Sequence, residues 1–374
     1  MEQKDNKWPA SRIVHLVGGC RAINNQDPKV QFDPHTLGGK QAQFQINQYG
    51  AIFHSLESLG FGVIGVDFYS HFLEAKGSVP PNWRSYHRTS HTSWPTEEVA
   101  QKWRNIGHAA FKQKNGKLWD IASRIGYQLR VCDWRLREIS EAYCNQLIAQ
   151  IQLKSFKVGQ KYEDGFSWLS YLSIQSFLVD ACILRDYLSE FMADFIYNGT
   201  VELGNLRITA MGAFKKKVLN KITEPDGFTR ELIYATSNGG WLTLLGNYRD
   251  MVVHSAPLVQ AERKLFSVCN ELKIIGGGSM PIICCPIPEN PDEISSSRST
   301  GSHFEDFEKQ FNVFVEAAKG DIPMIDGLDY ASAALGNLAK LSEKAAEKSP
   351  IVPEMMVIDS SNIIGEIKTT RHMG

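Results

Sequence analysis

Residues 118–155 read LWDIASRIGYQLRVCDWRLREISEAYCNQLIAQIQLKS, and the spacing of their apolar residues decides the fold class. Ile121, Ile125, Leu129, Cys132, Leu136, Ile139, Tyr143 and Leu147 mostly recur three or four positions apart. At that period side chains share one face of an α-helix, so the stretch predicts one long amphipathic helix, or two in tandem. Residues 166–197 form a second long segment, apolar nearly all round, as expected of a helix central to a bundle. Residues 205–222 suit a third helix. The turn signal TEPDG (223–227) and a further segment over 228–234 follow, and SNGG (237–240) interrupts the pattern. Residues 241–254 resume as a helix that Pro257 must end or kink. Long helices joined by short breaks predict an all-α bundle over 118–275.

The flanks have another style. In residues 1–117, RIVHLV (12–17) and FGVIGVD (61–67) are short β-branched runs of strand length. Residues 41–59 carry apolar side chains spaced for a helix, and 78–96, rich in Pro, Ser, Thr and His, reads as a loop. After GGGS (276–279), residues 280–286 look like a strand and 288–302 like a polar loop. Helices are expected over 304–318 and 329–347, and strands over 354–359 and 363–368. The expectation is a mainly α fold with a central helical bundle, 118–275, between α/β regions 1–117 and 276–374. The shared style of the flanks suits their packing together as one unit.

The chain has 374 residues, with 40 basic side chains against 41 acidic, a formal charge of −1. This excludes proteins that hold nucleic acid by bulk positive charge and leaves a local basic site open. Seven cysteines, at 20, 132, 144, 182, 269, 284 and 285, form no C-x-x-C pair. An odd number in this pattern suits a reducing, cytoplasmic setting without a disulfide frame. The first residues lack the apolar core of a signal peptide, and no run of 18 apolar residues suggests a membrane span.

Walker A, H-E-x-x-H and G-x-S-x-G patterns are absent. Gly276-Gly-Gly278 reads as a hinge, and His87, His91 and His108 lack the spacing of zinc ligands. The informative stretch is NYRDMVVHSAP, 247–257. On a helix Asp250 and His254 are i and i+4, so the carboxylate can orient the imidazole. Arg249 is long enough to swing beside them. An always-charged guanidinium that grips phosphate, next to an imidazole that moves protons near neutral pH, is a kit for phosphodiester cleavage. A second Arg-x4-His pair, Arg298 and His303, sits in a serine-rich stretch without such a frame. Lys215, Lys216, Lys217 and Lys221, with Asn247, are candidate RNA contacts, although three consecutive lysines on a helix also suit a solvated face. Trp103-Arg104 and Trp134-Arg135 suit core packing beneath a snorkelling arginine.

YRDMVVH (248–254), ending a helix that follows two long amphipathic ones, resembles the HEPN domain. That family's signature is Arg, a polar residue, three variable positions and His. The resemblance covers roughly residues 118–275. It implies a metal-independent endoribonuclease that needs no metal or cofactor and cleaves single-stranded RNA by 2′-hydroxyl attack, leaving a 2′,3′-cyclic phosphate. Arg249 and His254 would be catalytic and Asp250 supporting, in a composite site between two copies of the chain, hence a homodimer. The resemblance further implies a toxin or antiphage-defence setting, with an antitoxin or defence-system protein as partner. One alternative stays open: a catalytically silent HEPN-like domain that dimerises and binds a nucleotide or a partner protein.

Overall fold

The computed structural model describes residues 8–69, 80–199, 207–258, 266–305 and 325–355. It is a mixed α/β structure in which helix predominates. Six antiparallel strands form the first layer: β1 (Ser11–Leu16), β2 (Arg21–Asn24), β3 (Lys29–Asp33), β4 (Gln43–Gln45), β5 (Val63–Tyr69) and β6 (Asn82–Ser85). Their order is β4-β3-β2-β1-β5-β6. The runs expected at 12–17 and 61–67 thus form β1 and β5, adjacent strands in the interior of the sheet. The helix expected over 41–59 is only partly formed. Phe44 pairs with Val30 across β3 and β4, and α1 (Ile52–Ser58) begins later; pairing along a sheet edge overrides a helical spacing of apolar residues. Strand β6 lies inside the stretch 78–96 expected as a loop. It is fixed where the Trp83 indole N–H donates to the Asp133 side chain (3.1 Å) and carbonyl (2.9 Å).

Helix α2 (Pro95–Lys112) leads into α3 (Gly116–Gln152), so of the two arrangements that the 118–155 spacing allows, one long helix or two in tandem, the first is found. The Asn115 side chain caps α3 by accepting from the Leu118 amide (3.1 Å). α4 (Gly165–Phe191) starts with a capping box between Asp164 and Ser167 and continues into a wide turn, Met192–Ile196. These helices run antiparallel in sequence. Arg130 pairs with Glu97 of α2 (2.7 Å), and Arg135 with Asp180 of α4 (2.8 Å). α3 is the spine of the molecule: one side carries the sheet and the other carries α4. By length and mean hydropathy (1.3), Gly165–Ile196 is apolar enough to cross a membrane, but half of its most apolar window is buried inside the fold. That burial is what a core helix requires.

The rest of the chain adds α5 (Met211–Lys217), α6 (Gly227–Ala235) and α7 (Trp241–Asp250). Of the helix expected over 205–222, only α5 and the short turn Leu219–Lys221 form, and residues 205 and 206 lie outside the described residues. Ala210 is extended (φ −145°), and the Asp186 side chain accepts from the Met211 amide (3.1 Å), starting α5 there. Strands β7 (Lys161–Tyr162), β8 (Ser267–Lys273) and β9 (Ser279–Cys284) make a second antiparallel sheet. Gly276–Gly278 is therefore a hairpin turn joining β8 to β9, across the expected boundary at 275/276, with the Ile274 amide donating to Gly278 (2.9 Å).

β10 (Pro286–Ile287) pairs with β11 (Ile325–Asp326). Between them lie α8 (Pro291–Thr300) and the short α9 (Ser302–Glu305). The stretch 288–302, expected as a polar loop, is thus mostly helix. Pro291 opens α8, Asp292 and Glu293 favour its first turn, and Gly301 (φ 82°) ends it. These local signals suffice without an apolar stripe. α10 (Gly327–Glu347) matches the helix expected over 329–347 and packs on α2, α3 and α4. The helix expected over 304–318 and the strands at 354–359 and 363–368 fall almost wholly outside the described residues. The flanks do meet: Leu37 donates to Ser279 (2.9 Å), and the Cys20 thiol to Pro281 (3.1 Å).

One glycine is obligatory where the sheet meets the spine. Gly19 has φ 86°, and a Cβ there would stand 2.7 Å from the backbone carbon of Tyr143 in α3. Gly19→Ala therefore meets both left-handed strain and backbone that cannot yield. The expected loss of stability is about 2–4 kcal/mol, read as a lower urea midpoint at unchanged slope.

Candidate active site

α7 is the element that positions the Arg-Asp-x-x-x-His motif. Its inner face is buried through Leu242, Leu245 and Tyr248. The Tyr248 hydroxyl donates to the Pro288 carbonyl (2.5 Å), and the Cys182 thiol of α4 to the Leu245 carbonyl (3.4 Å). Gly246 lets the buried Arg185 of α4 lie against the helix, since a methyl group there would collide with its guanidinium. Past Asp250 the helix widens into a π-turn, Met251–Ser255, before Ala256 becomes extended ahead of Pro257. Single π-turns cost regular hydrogen bonding and are common where a helix presents functional groups.

The motif's side chains divide into a held group and a free one. Arg249, 28% exposed, lies 3.0 Å from Asp250 and 3.7 Å from Asp186. Asp186 also accepts from Arg185 (3.2 Å) and from the Met211 amide (3.1 Å). It is therefore the hub where α4, α5 and α7 meet. His254 is exposed on the π-turn, and no described residue hydrogen-bonds to its ring. The expected Asp250–His254 pair is not formed, because the carboxylate turns to the guanidinium one residue away. Asn247 is half-buried beside them.

Of the lysines, Lys215 donates to the Thr236 carbonyl, while Lys216 and Lys221 are exposed and Lys217 is half-buried. The run begins one turn after Met211, whose amide reaches Asp186, but the Lys215 contact is to Thr236 rather than to the Arg249 cluster. Arg298 lies on α8, which packs against the π-turn.

A second polar cluster escaped the sequence reading. At the interface of sheet and spine, His15 Nδ1 lies 3.0 Å from Ser140 Oγ, and His15 Nε2 lies 3.2 Å from Asp67 Oδ2. Arg137 grips both Asp67 oxygens (2.8 and 2.7 Å) and reaches Glu141 (3.1 Å), which also pairs with Arg21 (2.5 Å). Burial depresses the His15 imidazole, keeping it neutral. Burial alone would raise Asp67, but hydrogen bonds from Arg137 and His15 outweigh it and hold the carboxyl well below the usual range. The signal in the sequence was a His and an Asp inside apolar strand runs, at 15 and 67.

His15, Asp67 and Glu141 place ligand atoms within 4.8 Å of one another. The carboxylates are already neutralised by Arg137 and Arg21, so a divalent cation would have to displace two guanidiniums. The donor set suits a buried structural network better than a metal centre. His15 and Ser140 have the contacts of a nucleophile–base pair, yet both are buried, out of reach of a substrate.

No family model, curated protein or solved structure matches the chain.

Proposed function

We propose that the chain is an endoribonuclease of HEPN type, which cleaves single-stranded RNA by attack of a 2′-hydroxyl on the adjacent phosphate. The observation that carries this reading is the exposed imidazole of His254, without a hydrogen-bond partner among the described residues, one helical turn past the half-buried guanidinium of Arg249. One His254 takes the 2′-hydroxyl proton as the oxygen attacks phosphorus. Its counterpart from a second copy protonates the departing 5′-oxygen, and both Arg249 side chains stabilise the charge on the phosphorane. The products are a 2′,3′-cyclic phosphate and a 5′-hydroxyl, with protons balanced between the two histidines and no metal required. Cleavage that persists in EDTA and yields these ends supports the reading; cleavage that requires a divalent cation overturns it.

A composite site needs a second copy, and α4 supports one. Leu169 is 55% exposed, Leu172 51% and Val253, beside His254, 50%. Gln175, one turn past Leu172, accepts from the Leu258 amide (3.3 Å), which ties α4 to the segment just after the π-turn. Replacing both Leu169 and Leu172 by Lys is expected to halve the mass seen by light scattering and to abolish cleavage together with it. A double variant that stays dimeric rejects α4 as the contact face.

One observation favours the alternative. Arg249 is engaged by two carboxylates, Asp186 and Asp250, which would have to release it before it could hold phosphate. A chain that dimerises but leaves RNA intact would be the silent, binding form.

A further inference from the structure

At the end of α7 remote from Arg249 lies a cleft of about 450 Å³ between α6, α7 and α10. Phe228, Leu232 and Leu341, all buried, form its apolar floor. Trp241, half-buried, and Tyr234, 78% exposed, add aromatic surface. No described residue accepts a hydrogen bond from the Trp241 indole. Exposing a large aromatic beside a second one costs apolar hydration with no packing in return, unless something stacks there.

The charged lining is mainly positive. Arg230, Lys340 and Lys344 stand against a single carboxylate, Glu231, which is held by Lys344 in an ion pair from α10 to α6. Lys340 has no ion-pair partner among the described residues. Arg230 makes one hydrogen bond, to the Pro225 carbonyl (3.3 Å), and meets no carboxylate there. Asn337 adds an amide able to donate and accept.

We infer that this cleft binds a planar aromatic anion of mononucleotide size. The ring would lie against Trp241 and Tyr234 over the apolar floor, with the anionic group held by Lys340 and Arg230. A volume in the range of small-molecule sites, aromatic walls and an excess of unpaired cations meet that chemistry together. An uncharged aromatic would leave the cations unused, and a sugar phosphate would leave the rings bare. The inference stands apart from the RNA chemistry, since no cleft residue belongs to the Arg249–His254 motif. The site joins α6 and α10 to the first residue of α7, so an occupant would brace the helix that ends in that motif.

The test is calorimetric titration of the full chain with AMP and GMP, read as binding alone, so that a chain inert to RNA still gives an answer. At least one nucleotide is expected to saturate with a Kd below about 1 mM. Adenosine and ribose 5-phosphate are each expected to bind at least about tenfold more weakly than AMP, and Lys340→Glu and Trp241→Ala to weaken the bound nucleotide by about tenfold or more. Lys340 is exposed, so its variant should keep the wild-type Tm and separates lost binding from lost folding. Affinity unchanged in Lys340→Glu, or no saturation by either nucleotide at roughly tenfold higher concentration, overturns the inference. So does binding confined to oligonucleotides, which would mark the cleft as part of an RNA track.

Discussion

His254→Ala is expected to slow cleavage of single-stranded RNA in EDTA by about 10²–10⁴-fold, because it removes the group that moves protons at both the attacking and departing oxygens. Arg249→Ala should fall in a similar range, since its guanidinium is the fixed positive charge available to the phosphorane. Neither side chain supports the core: His254 is exposed, and Arg249 meets only partly exposed carboxylates. Both variants should therefore melt within about 1 kcal/mol of wild type. Asp250→Ala separates the sequence geometry from the observed one. A carboxylate orienting His254 would make its removal nearly as costly as losing the histidine. A carboxylate resting on Arg249, as found, predicts a change below about tenfold, and freeing the guanidinium can raise the rate. The readout is product formation on a labelled RNA, with the cyclic-phosphate end checked by its resistance to ligation. Undiminished cleavage by either the His254 or the Arg249 variant rejects the site.

Asp67→Asn is expected to cost about 3–5 kcal/mol of folding stability at pH 7, because it strips the buried partner from Arg137 and the hydrogen-bonded anion from His15. The loss should depend on pH in one direction. The Asp67 carboxyl lies below the ordinary carboxylate range in the folded chain. Its stabilisation is therefore complete above the unfolded value, near 4, and is lost as pH falls through the folded value. His15, lowered by burial, adds in the same sense from about pH 6.5 downward, since the unfolded chain takes up a proton that the folded one refuses. Burial raises the Asp133 and Asp326 carboxyls to about 6 and about 7. They titrate in the opposite sense, and like the burial of His15 they are common to wild type and variant, so they largely cancel when the two are compared. The difference between the two urea midpoints should therefore hold from pH 7 to about 4 and shrink as the pH falls further. A difference that stays constant below pH 4 would mean that Asp67 acts by shape alone.

How much could be read in advance varied with the range of the interactions involved. α3 was visible because thirty or so residues repeat one period, and α4 because a run of similar length is apolar nearly all round; long runs average out local exceptions. α8 was invisible to periodicity, having no apolar stripe, although its Pro291, Asp292, Glu293 and Gly301 signals were present. Strands β2, β3, β4 and β6 were missed for another reason. They are three to five residues long, and a short strand is specified by its neighbours across the sheet rather than by its own composition.

The primary structure by itself determined the helical majority, the two strand runs at 12–17 and 61–67, and the presence of Arg249, Asp250 and His254 within one helical turn and a half. Those follow from local periodicity and from spacing along a helix, which the chain carries without reference to distant residues. Only the tertiary structure decided that Asp250 serves Arg249 rather than His254. The choice depends on Asp186 arriving from α4 and on the π-turn after Asp250. Likewise only folding brought His15, Asp67 and Arg137 together from three separate elements, and placed Lys340 beside Trp241. Contacts between residues far apart in the chain are set by how layers pack, and no local pattern encodes them.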